Sequence, residues 1–210
     1  MNEPLGTEGE LYCPECAEPI KKDFTICPSC GTEIKNTGKA IEANTAYGIG
    51  DTGPAGGLVF YINTNYENDG WRYLETAATD FPGDSDNYWI KWRNGVYINT
   101  EATGTAIGTG MSNTLKIVST QGEGSYAANL CYGLTQGGYS DWFLPSRDEL
   151  NLMYKNLHLK GIGGFESDYY WSSSEVDKDL AWYQYFTVGV MDANGNKSYN
   201  VRVRALRAFS

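Results

Sequence analysis

Trp142-Phe143-Leu144-Pro145-Ser146-Arg147-Asp148-Glu149-Leu150 is the most informative stretch of the chain. Ser146 and Glu149 have the S-x-x-E spacing of a capping box, in which each residue satisfies a free backbone N–H of the other. Asp148 and Glu149 favour the positive end of the helix dipole. Leu150, Met153, Tyr154 and Leu157 follow at helical spacing, and Gly161 is positioned to end the helix. Upstream, Ser112 to Thr120 and Ser125 to Leu134 read as two short helices, the second with Tyr126, Ala127, Leu130 and Leu134 on one face. Further upstream, Leu58 to Ile62 reads as a buried strand and Trp71 to Glu75 as another. Between the Trp71 strand and the helices, Ala78 to Gly110 is loop-like. Downstream, Tyr169 to Glu175 reads as a strand. Ala181 to Val190 alternates, with Trp182, Gln184 and Phe186 on one face and Tyr183, Tyr185 and Thr187 on the other. Asp192 to Asn196 carries the Asn-Gly signal of a hairpin turn, and Val201 to Phe209 reads as one closing strand.

The 210 residues include 16 bases and 26 acids, a formal charge of −10. Such a chain repels phosphate backbones, which argues against nucleic acid as a partner. The longest apolar run, Leu58 to Ile62, is far short of the roughly 20 residues that cross a bilayer, so membrane insertion is not expected. Met1 to Glu10 is polar and acidic, unlike a signal peptide, and the expected location is cytoplasmic. The glycines of Gly48 to Gly57 precede a strand instead of following one, and no Lys-Ser/Thr pair comes after them. A phosphate-binding loop is therefore a poor reading.

Near the N-terminus stand Cys13-Pro-Glu-Cys16 and, ten residues on, Cys27-Pro-Ser-Cys30-Gly31. Two C-x-x-C pairs at this spacing point to a zinc ion held by Cys13, Cys16, Cys27 and Cys30. Four thiolates close the coordination sphere, so the zinc is expected to be structural, and residues 1–35 resemble a short zinc ribbon. Paired disulfides would need an exported chain, and a redox C-x-x-C would need one motif rather than two. Residues 1–36 hold seven acids against three bases, which suits protein docking or a plain cap. Residues 36–46, rich in Asn, Thr, Gly, Lys and Ala, read as a linker to a larger domain over 47–210.

Several pieces of that domain carry a family likeness: Gly50-Asp51-Thr52-Gly53-Pro54-Ala55-Gly56-Gly57, Gly70 to Glu75, Trp142 to Ser146, Tyr170-Trp171-Ser172-Ser173-Ser174-Glu175 and Val203 to Phe209. In this order they resemble domains at the C-terminus of collagen-like adhesins and in the variable proteins of diversity-generating retroelements. The resemblance implies the α+β C-type-lectin fold, in the version shared with formylglycine-generating enzymes, and a loop-and-strand surface that binds a protein or other macromolecular ligand. In retroelement variable proteins the C-terminal segment changes at template adenines. AAC-type codons so altered can give Asn, Tyr, Ser, Asp, Val and Ala, but no stop. Tyr183, Tyr185, Val188, Val190, Asp192, Asn194, Asn196, Tyr199 and Asn200 fit that set. They interleave with framework-like Trp182, Gln184, Phe186, Gly189 and Lys197. Met191 does not fit. The expected binding surface comprises those nine residues, with none of them packing inward.

Enzyme readings find little support. His158 is the only histidine, and Cys131 is the only cysteine outside the ribbon. Neither has an evident catalytic companion, whereas the enzymes of the resembled fold need reactive cysteines or copper ligation. Asp84 with Asp86, or Glu166 with Asp168, could hold calcium, but no EF-hand spacing supports it. The alternatives to a binding module are a fixed scaffold docked through the ribbon and a carbohydrate-binding member of the fold.

Overall fold

The computed structural model describes residues 46–81 and 89–210, together with the backbone of Leu11–Tyr12 and Pro19–Ile20. Contacts divide the chain into two units, Met1–Ala46 and Tyr47–Ser210. In the first, β1 (Leu11–Tyr12) and β2 (Pro19–Ile20) pair antiparallel, Leu11 opposite Ile20. Cys13, Cys16, Cys27 and Cys30 lie outside the described residues, as does the linker except Ala46.

The second unit is a sheet-rich α+β fold. Its first sheet joins the two ends of the unit: β3 (Leu58–Ile62) and β10 (Leu206–Phe209) flank β4 (Tyr73–Thr76), all antiparallel. The second sheet has the order β5-β9-β6-β7-β8, built from Trp89–Ile90, Val201–Arg202, Tyr169–Glu175, Leu180–Tyr185 and Val190–Asn196. Among the described strands only β6 and β9 run parallel. Helices α1 (Tyr66–Asp69), α2 (Gly110–Gln121), α3 (Ala127–Tyr132) and α4 (Arg147–Asn156) fill the connections.

Helix α4 begins where the capping box predicts. The Ser146 hydroxyl accepts from the Glu149 N–H at 3.3 Å, and the Ser146 N–H donates to Glu149 Oε2 at 2.7 Å. Burial of Leu150, Met153 and Leu157 with Phe60, Leu74, Tyr170, Phe186 and Leu206 forms one half of the core. The other half gathers Trp92, Trp142, Trp171, Ile117 and Tyr126. Helix α4 stops at Asn156. A 3₁₀ turn, His158–Lys160, carries the chain on to Gly161, whose φ of 70° closes it.

Two of the expected elements are different. The hairpin turn lies at residues 186–189 and not at Asp192 to Asn196. Gly189 adopts φ 76° and its N–H bonds the Tyr185 carbonyl at 2.7 Å, so the chain reverses there. Asn194-Gly195 falls inside β8. A Cβ on Gly195 would strike Trp171, Tyr183 and the Ala181 carbonyl, so that glycine answers a packing demand and not a turn. The closing strand is also two strands. Residues 203–205 cross from one sheet to the other, separating β9 from β10.

Buried charge pairs pin the strands and their connections. Lys197 Nζ meets Glu175 Oε1 at 2.5 Å, Arg204 Nε meets Asp80 Oδ1 at 2.6 Å, and an Arg207 Nη meets Glu75 Oε1 at 2.8 Å. Glu175 also accepts from the Thr100 N–H, and Lys197 lies over the Trp92 ring. The Ser172, Ser173 and Ser174 side chains are buried with it, where Ser172 donates to the Trp182 carbonyl and Ser174 to the Gly104 carbonyl. The strand that reads simply as Tyr169 to Glu175 is thus a polar spine that pins the long loops.

Candidate ligand-binding face

Strand β7 lies between β6 and the outer strand β8, and residues opposite one another share a face. Tyr185 stands opposite Tyr169 on one side and Val190 on the other. Tyr183 stands opposite Trp171 and Asp192. One face therefore carries Tyr169, Trp171, Tyr183, Tyr185, Val190 and Asp192. Tyr169 is sandwiched: its ring lies 4.3 Å from that of Tyr185 and 4.9 Å from that of Tyr183, both stacked. The Tyr183 hydroxyl donates to Asp192 Oδ2 at 3.4 Å. Burial, with Asp192 adding to it, pushes that hydroxyl up to about 12, so it stays a proton donor at neutral pH.

The opposite face of β7 turns inward. Gln184 and Phe186 are 0 % exposed, and Gln184 Nε2 donates to the Asn151 side chain on α4 and to the Gly189 carbonyl. The alternation expected over residues 182–186 matches this arrangement, except that Trp182 is half-buried, with the Arg147 guanidinium 5.0 Å over its ring.

The nine expected surface residues do not all lie in one place. Tyr183, Tyr185, Val190 and Asp192 form the strand face just described, and Tyr199 stands close enough to Tyr183 to act on its hydroxyl. Val188 at the turn, Val190 and Tyr199 are 60 %, 56 % and 53 % exposed. Asn194 is exposed, and both its N–H groups donate to Asp192 Oδ1, which fixes that carboxylate. Asn196 is engaged elsewhere: its Oδ1 accepts from Tyr97, from the Ser198 N–H and from the Ser198 hydroxyl. Asn200 is exposed in the connection to β9. One expectation is corrected: Tyr183 does pack inward, against the Trp171 half of the core.

Sequence reasoning missed Tyr169. Its alternation with Trp171 on one strand was visible, but nothing local told that β6 and β7 are neighbours. Asp168 and Trp89 border the same place: Trp89 Nε1 and Arg202 Nε both donate to Asp168 Oδ2, at 2.8 and 3.1 Å. Asp168 is therefore occupied by a guanidinium, while Asp84 and Asp86 lie outside the described residues. Among the described residues no three His, Cys, Asp or Glu side chains gather as a metal site. His158 is packed among the rings of Tyr154, Phe165 and Phe186, and Cys131 is buried with its thiol pushed far up by desolvation. Among the described residues no helix is long and apolar enough to cross a membrane.

A family model described as the Lcl C-terminal domain matches residues 88–207, more than half of the chain. Among solved structures, the chain is similar to a fimbrial protein from Bacteroides ovatus ATCC 8483, with a TM-score of 0.48 and 13% identity. The similarity covers 70% of this chain and 38% of that one. A comparison with curated proteins finds no match.

Proposed function

The chain belongs to the Lcl C-terminal domain family, and from that premise we propose that it is a non-enzymatic binding protein that displays a recognition face for a protein or other macromolecular ligand. The observation that carries the reading is the tyrosine sandwich of Tyr169, Tyr183 and Tyr185, flanked by Val190 and Asp192 on a sheet whose reverse side is packed on α4. Rigid aromatic rings beside small polar groups offer contact area at little entropy cost. Tyr169 and Tyr183 each meet two other rings, while Tyr185 stacks on Tyr169 alone and keeps a face for a ligand.

Tyr183, Tyr185, Val188, Val190, Asp192, Asn194, Asn196, Tyr199 and Asn200 would be the positions diversified by a retroelement on a C-type-lectin-like scaffold. The interleaving of exposed Val188 and Val190 with Gly189, and of Tyr185 with buried Gln184 and Phe186, supports this. Resequencing the codons for residues 183–200 across a bacterial population tests it. Changes concentrated at the nine codons, with an adenine-bearing template repeat and a reverse transcriptase gene nearby, are expected. An invariant segment without those neighbours would leave a fixed scaffold. Zinc at Cys13, Cys16, Cys27 and Cys30 would fold the first unit in a reducing, cytoplasmic setting.

A further inference from the structure

A cavity of about 220 Å³ lies on the other sheet, away from the tyrosine face. Trp71, Met111, Phe143 and Ala208 supply its apolar wall, and Asp141 and Glu149 its only charged groups. An apolar cavity of about 150 Å³ already holds benzene, so this one has room for a single ring with a short substituent.

The charges around it do not balance. Glu149 is buried, and its carboxylate is met by the backbone N–H groups of Gly108 and Ser146, at 2.7 Å each. It forms no ion pair among the described residues. Asp141 lines the same cavity, and Arg207 links it to Glu75. The single guanidinium of Arg207 serves both of those, with Asp141 held through Nε at 2.7 Å and Glu75 through Nη1 at 2.8 Å. Asp141 is about half exposed and held by two Arg207 nitrogens, whereas Glu149 is buried with no cation of its own, and an uncompensated charge in that setting is costly. Trp71 also lines the cavity, and an indole attracts a cation placed over its ring.

We propose that this cavity binds an organic cation, an ammonium group carried on an apolar body the size of one ring, with Glu149 and Asp141 supplying the counter-charge. The site is separate from the tyrosine face, and a ligand here would neither need nor report on binding there.

The test is titration of the full chain with benzylammonium and with benzyl alcohol, which has a similar shape and no charge, followed by calorimetry and by NMR shifts of the Trp71 indole. Saturable binding of benzylammonium at millimolar concentration, about tenfold tighter than the alcohol, is expected. Glu149→Gln, whose amide oxygen still accepts from one of the two N–H groups, should bring the cation down to the alcohol's affinity. Ala208→Leu, which fills the cavity, should abolish binding of both, and Met111→Phe serves the same purpose if the first variant does not fold. Equal affinity for the two probes, no saturable binding, or unchanged binding in the filled variant would overturn the proposal.

Discussion

Tyr183 and Tyr185 stand two residues apart on one strand, and their neighbours give them different weights. Tyr185 stacks only on Tyr169, whereas Tyr183 also meets Trp171 and Asp192. Stacked pairs contribute roughly 0.5–1.5 kcal/mol beyond their buried area. Tyr183→Ala should therefore lower stability by about 1 kcal/mol in urea unfolding, and Val190→Ala or Tyr199→Ala should stay within about 0.5 kcal/mol. An equal and large loss at all three would show that the face serves folding. Glu149 gives a pH signature. Burial pushes its carboxyl from the ordinary 4.5 up to about 7, against the N–H groups of Ser146, Gly108 and Gly110. The folded chain then holds the proton more tightly than the unfolded chain. The group's contribution to stability is full below pH about 4.5 and is lost as pH rises through about 7. Stability measured against pH should fall more steeply in the wild type than in Glu149→Gln over that window; parallel curves would contradict it. Side-chain alternation on β7 was legible at this scale, because a period of two places Gln184 and Phe186 together whatever lies around them.

Elements were legible where the signal is local. The α4 start was, since the capping box needs only residues 146–149. Ser146→Ala should cost about 1 kcal/mol by loss of the N-cap, seen as a lowered thermal midpoint, and an unchanged midpoint would mean that another group caps the helix. The β7–β8 reversal was not legible. Asn194-Gly195 is the stronger turn signal in isolation, but Gly195 is required in β8 by the closeness of Trp171 and Tyr183. Gly189 instead takes the positive φ of the turn. The break between β9 and β10 was hidden for a similar reason: Val203 and Ala205 are buried like strand residues while the chain passes between sheets.

Across the whole molecule, the charge network was the least legible feature. Arg204, Arg207 and Lys197 pair with Asp80, Glu75 and Glu175 across long stretches of chain, and no spacing rule announces such pairs. Lys197→Ala should cost roughly 3–5 kcal/mol, because Glu175 would remain buried without its cation. A loss below about 1 kcal/mol in denaturant unfolding would mean that water reaches Glu175. Cys27→Ser should abolish zinc in elemental analysis while unit 47–210 keeps its own melting transition. Joint loss of both would contradict separate folding.

The central claim is that a rigid scaffold carries a face free to vary for recognition, and a sorted library tests it most directly. Codons for Tyr183, Tyr185, Val188, Val190, Asp192, Asn194, Asn196, Tyr199 and Asn200 would be randomised in one displayed library. In a second library, those for Trp171, Gln184, Phe186, Gly189, Gly195 and Lys197 would be. Both would be sorted for protease resistance and the first then for binding to purified proteins. The account predicts that most members of the first library stay folded, with Tyr183 the most restricted of its nine positions, and that binders emerge from it, while the second collapses. Equal collapse of the two libraries, or a folded first library that yields no binder, would contradict it.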